Sequence, residues 1–85
     1  MLKNIEDVQE DIQFYNGFVH RLIQSVSDDG RTPHELSKAT GIKSSTIIGW
    51  MQGRKMMNIF LLVKLADELC ISIDWLLGRK EDERL

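Results

Sequence analysis

The sequence predicts an all-α fold, and three observations carry that expectation. No stretch of useful length alternates apolar and polar residues with a period of two, so strands are not expected. Apolar residues instead recur at three- and four-residue steps. The single proline, Pro33, stands where a helix would begin rather than inside one. No internal repeat or low-complexity segment interrupts the pattern.

Leu2, Ile5, Val8, Ile12 and Tyr15 form the first amphipathic stripe, and Phe18, Leu22, Ile23 and Val26 continue it. Asn16-Gly17 between them either divides the segment into two helices or weakens one, since glycine costs about 1 kcal/mol inside a helix. Asp28-Asp29-Gly30 ends the stripe. Thr32-Pro33 starts the next helix, with Thr32 as N-cap and Glu35 three residues on as its capping-box partner. Gly41 ends it, in the left-handed conformation that glycine adopts after a last helical turn. Lys43 or Ser44 caps the third helix, Ser44 being the better cap chemically, and Gly53 stops it after about Gln52. Asn58 caps a fourth helix, Ile59 to about Leu69, buried through Leu62, Leu65, Ala66 and Leu69. Cys70 follows it, with backbone strain expected if it turns left-handed. Ser72 caps a short fifth helix, Ile73 to Leu77, stopped by Gly78. Residues 79–85 read as a charged tail.

Eighty-five residues suit one small domain with a modest core. A hydrophobic fraction of 42% with 28% charged residues is that of a globular chain rather than a disordered one. One cysteine, Cys70, makes neither an internal disulfide nor a zinc set, and the redox reading is cytosolic. No apolar N-terminal stretch precedes a cleavage site, and the longest apolar run, Ile59 to Val63, is far too short to span a bilayer. A cytoplasmic protein with no metal, cofactor or membrane partner is expected. His20 and His34 read as surface residues. No paired acid and base, nucleophile or phosphate loop suggests an enzyme.

The net charge of −2 argues against a nucleic-acid partner until its distribution is considered. Residues 1–30 hold two basic and six acidic side chains, and residues 56–85 hold four basic and six acidic. Residues 31–55 hold five basic side chains (Arg31, Lys38, Lys43, Arg54, Lys55) against one acidic, Glu35, a local charge of +4. That positive segment overlaps Thr32 to Trp50, which reads as two short helices joined by a tight turn. Leu36, Ile42, Ile47 and Trp50 would lock the pair and leave the outer face of the second free. A helix presented that way fits the DNA major groove.

The stretch from about Phe18 to Gly78, some seven tenths of the chain, resembles the phage-repressor and Cro-like helix-turn-helix family, also called XRE-type regulators. The residues that carry the likeness are the anchor Leu36, the small Ser37, the turn glycine Gly41, and Ile42, Ile47 and Trp50 beneath the third helix. Trp50-Met51-Gln52-Gly53-Arg54-Lys55 looks like the family's aromatic-x-x-Gly-basic ending. Leu62 to Leu69 and Trp75-Leu76-Leu77-Gly78 look like its fourth and fifth helices.

The resemblance implies a five-helix, lambda-repressor-like domain over residues 17–78. Residues 1–16 lie outside it and read as an N-terminal amphipathic helical extension that either folds back on the core, the reading we favour because a small core gains from extra burial, or forms a dimer contact with the fifth helix. The resemblance also implies that helix three reads DNA. By position the base-facing candidates are Lys43, Ser44, Ser45, Ile48, Gly49 and Gln52. Helical spacing independently puts Ser44, Ser45, Ile48 and Gln52 on one side, with Ile47 and Trp50 inward. Phosphate contacts are expected from Thr32, His34 and Glu35 at the start of helix two, where backbone N–H groups point outward, and from Thr46, Arg54 and Lys55. Trp75 and Leu76 are the dimer candidates, although Trp75 could equally pack against helix one.

The sequence departs from the family pattern at three places. Pro33 stands where a phosphate-binding Gln is frequent, Ser44 and Ser45 are short readers, and Met56-Met57 replaces a frequent proline turn. No Arg lies on the reading face to contact guanine. The expected function is that of a transcriptional regulator, a repressor, binding a palindromic double-stranded operator as a homodimer. With no second domain expected, its regulation would come from concentration, partners or competition. The alternative is a protein-interaction module on the same scaffold, such as an antitoxin or adaptor.

Overall fold

The computed structural model describes the backbone of residues 5–55 and 57–83, and the side chains within those bounds from Tyr15 onward. The described residues form five α-helices and no strand: α1 (Ile5–Asp29), α2 (Pro33–Thr40), α3 (Ser44–Met51), α4 (Ile59–Glu68) and α5 (Ile73–Leu76). Packing runs α2 on α3 and α4, α1 on α3 and α5, and α4 on α5.

α1 is one helix of 25 residues that passes Asn16 and Gly17 without a turn. The backbone of residues 5–16 is the first part of that helix. The side chains of Leu2, Ile5, Val8 and Ile12 lie outside the described residues, as does Met56. Gly17 serves another purpose: a Cβ there would sit 3.2 Å from an Arg21 guanidinium nitrogen. Arg21 uses that room to donate from Nε to the Leu76 carbonyl at 3.1 Å, tying α1 to the end of α5.

One apolar cluster holds the helices together. Phe18, Leu22 and Val26 come from α1, Leu36 from α2, Ile47 and Trp50 from α3, Leu62, Leu65 and Ala66 from α4, and Leu76 from α5. Ile42, Leu69 and Ile71 close it from the connections. Fully burying each large aliphatic or aromatic side chain contributes about 1.5–3 kcal/mol. Leu76 is fully buried in this cluster, which removes it from any dimer surface. Trp75 is half-buried and packs against the same cluster.

The helix ends follow local chemistry. At α2 the capping box is complete: the Glu35 N–H donates to Thr32 Oγ1 at 3.1 Å, and the Thr32 N–H donates to Glu35 Oε1 at 3.2 Å. Gly41 closes α2 with φ 80° and donates to the Ser37 carbonyl at 2.8 Å. Asn58 caps α4 by accepting from the Phe60 and Leu61 N–H groups, and Ser72 caps α5 by accepting from Trp75. α3 differs. Lys43, not Ser44, occupies the N-cap, and no side chain bonds there. Ser44 already has helical geometry, so its hydroxyl cannot cap, and only the Lys43 carbonyl serves the new helix, accepting from Thr46 and Ile47.

Candidate nucleic-acid interface

α3 is fixed from both sides of the connection that precedes it. The three residues 41–43 join it to α2. Ile42 is buried at their centre. The buried Thr40 hydroxyl braces the turn, donating to the Leu36 carbonyl at 2.8 Å and accepting from the Ile42 N–H at 3.2 Å. Ile47 and Trp50 are fully buried, which sets the rotation of α3 about its own axis. By the 3.6-residue repeat the opposite side carries Ser45, Ile48, Gly49 and Gln52. Ser45, Ile48 and Gln52 are exposed, Ser44 and Thr46 are half-buried, and Lys43 is exposed at the helix start.

Gly49 belongs to that outer side but is buried, so it is not an open reading position. The aliphatic stem of Lys55 covers it: a Cβ on Gly49 would lie 2.7 Å from Lys55 Cγ and 2.8 Å from Cδ. The segment carrying Lys55 is tied down twice. The Arg54 N–H donates to the Gly49 carbonyl at 2.8 Å, past Gly53 with φ 69°. The Tyr15 hydroxyl donates to the Lys55 carbonyl at 2.8 Å, reaching over from α1.

At the start of α2 most backbone donors are already committed within the helix end. Pro33 has no N–H, the Glu35 N–H is taken by Thr32, and the Leu36 N–H donates to the Thr32 carbonyl at 2.9 Å. The Glu35 carboxylate also accepts from the Thr32 hydroxyl at 3.2 Å, so a negative charge lies across the helix end. That carboxylate disfavours an anion beside Thr32 and Glu35, and His34 is exposed next to them. At α3 the situation is reversed. Its uncapped N-terminus carries the positive end of the helix dipole, with Lys43 alongside.

The positive segment is also smaller than its composition suggests. Arg31 is committed to a clamp: Nε donates to Asp29 Oδ2 at 2.8 Å, Nη1 to Glu68 Oε2 at 2.8 Å and Nη2 to the Glu68 carbonyl at 3.3 Å. The guanidinium holds the Asp29 carboxyl below its ordinary value, and the two carboxylates raise Arg31 further above the basic range. Among the described residues Lys38, Lys43, Arg54 and Lys55 make no ion pair and are exposed.

Elsewhere, α4 presents Phe60, 80% exposed, with Ile59 and Val63 beside it. A depression lined by Ser25, Asp28, Asp29, Leu69, Cys70, Ile71 and Glu83 contains no residue of α2 or α3. Among the described residues no group of His, Cys, Asp and Glu could hold a metal ion, and no helix is long and apolar enough to cross a membrane. Comparison with protein-family models, curated proteins and solved structures returned no match.

Proposed function

We propose that the chain is a DNA-binding transcriptional regulator of lambda-repressor-like helix-turn-helix architecture, a repressor that presents α3 to the major groove of a palindromic operator as a homodimer. The observation that carries this is the state of α3. Ile47 and Trp50 anchor one side, Ser45, Ile48 and Gln52 stand exposed on the other, and Lys43 and Arg54 flank it without ion-pair partners among the described residues. The likeness of residues 18–78 to the XRE-type pattern supports the same function. One eight-residue helix reaches only a few base pairs, so two copies bound about 34 Å apart supply the length of site that specificity needs.

The roles divide by chemistry. Gln52 matches the donor and acceptor of adenine, Ile48 the thymine methyl, and Ser45 bonds several bases. Lys43, Thr46 and Arg54 serve phosphates. Binding of random duplex DNA, titrated from low to moderate salt, tests this. The four cationic phosphate contacts per dimer, Lys43 and Arg54 from each copy, lose about 10²-fold in affinity between roughly 50 and 200 mM salt. No binding of duplex DNA at low salt would sink the proposal. Ser45→Ala should change sequence preference, and Arg54→Ala should weaken all sequences alike.

The exposed Phe60 with Ile59 and Val63 supports a second reading, a protein-interaction module on the same scaffold. The salt titration separates the two, because such a module has lost tight DNA binding and holds random duplex only weakly.

A further inference from the structure

We infer that Lys55 determines specificity: its ammonium, carried across Gly49 onto the outer side of α3, reads guanine in the major groove, an assignment that rests on the DNA-binding function proposed above. Helical spacing sets Gly49 between Ser45 and Gln52 on the outer side of α3, yet Gly49 is buried. The stem of Lys55 fills the place where residue 49 would carry a side chain, with Cγ and Cδ within 2.8 Å of the missing Cβ. Lys55 thus acts as a borrowed side chain for position 49, with its ammonium two bonds beyond Cδ.

The backbone beneath it is held from α3 by the bond from Arg54 to the Gly49 carbonyl and from α1 by the Tyr15 hydroxyl. The stem rests against Gly49, and lysine stems commonly lie on apolar surface with the charged head in water. The chemistry fits a gap in the reading side. Ser45, Ile48 and Gln52 include no group that favours guanine, whose O6 and N7 are both acceptors and are met best by Arg or Lys. Lys55 supplies that donor from outside the helix, which is why a search of α3 alone finds none. It moves Lys55 from the phosphate role that its place in a basic ending suggests.

The experiment uses the full chain. Half-sites are selected from a random duplex pool, and wild type, Lys55→Met, Gly49→Ala and the double variant are titrated against the selected duplex and against one with each guanine replaced. Methionine keeps the stem and removes the charge. Alanine at 49 displaces the stem and favours the helix, so its thermal midpoint should not fall. Lys55→Met should lose preference for one guanine on the order of tenfold. Gly49→Ala should reproduce that loss, and the double variant should be no worse than Lys55→Met, since both remove one contact. The inference is overturned if Lys55→Met weakens all duplexes equally, if the two losses multiply, or if the selected half-site tolerates replacement of every guanine. A wild-type chain that binds no duplex at low salt overturns instead the DNA-binding function itself.

Discussion

Cys70 is the one non-glycine among the described residues with positive φ, at 57°. It ends α4 where the Ile71 N–H reaches back to the Ala66 carbonyl at 3.0 Å, a closure that ordinarily falls to glycine. The Cβ strains this conformation, so Cys70→Gly should stabilise the fold by roughly 0.5–1 kcal/mol. That would appear as a rise of a few degrees in the thermal midpoint. The opposite holds at Gly78, where φ is 81° and a Cβ would meet an Arg21 nitrogen at 2.7 Å. Thr40 is the residue whose role was least visible in the sequence. Its hydroxyl joins the end of α2 to buried Ile42 in the turn, and Thr40→Val leaves the Ile42 N–H without a partner. The expected cost is about 1–3 kcal/mol, read as a lower urea midpoint with unchanged slope.

At the scale of the helix, the two elements of the turn have opposite ends. α2 is closed by its own capping box, whereas α3 begins at Lys43 with no side-chain bond. A proper cap at 43 would stabilise α3 by about 1 kcal/mol. Lys43→Asp should therefore raise the thermal midpoint and lower affinity for duplex DNA, since it adds the cap and reverses the charge; a gain in both would remove Lys43 from the DNA surface. Helix order and type were legible in the sequence, because the apolar spacing of Leu22, Leu36, Leu62 and Leu65 and the caps Thr32, Asn58 and Ser72 are local signals. Two local signals misled. Ser44 has good cap chemistry but sits one residue too late, and Gly17, a helix weakener by propensity, is spared by the room it leaves for Arg21. The exposed side of α3 was legible in the spacing of Ser45, Ile48 and Gln52. The stem of Lys55 over Gly49 was not, because it is a contact between segments that periodicity does not reach.

Across the whole molecule, polar ties between distant segments add to the apolar cluster in joining α1 to the rest. Arg31 stitches the ends of α1 and α4 together through Asp29 and Glu68. The bond to Arg31 sets the Asp29 carboxyl below its ordinary 3.8, so its stabilisation is present above about pH 4 and lost as pH falls through the depressed value. Urea midpoints of wild type and Arg31→Met should therefore differ near neutrality and converge toward about pH 2; a constant difference would mean that the clamp acts by packing alone. The same pairing explains why the charge count of residues 31–55 overstates the cations free to meet a ligand. The reach of α1 has a consequence for how the chain is made. Arg21 and its acceptor at Leu76 are 55 residues apart, and Tyr15 and its acceptor at Lys55 are 40 apart. At 5–20 residues per second of synthesis, Leu76 lags Arg21 by roughly 3–11 s and Lys55 lags Tyr15 by roughly 2–8 s. Through that interval Phe18, Leu22 and Val26 have been made while their cover on α5 does not yet exist, so that stripe stays open to chaperone capture until α5 follows.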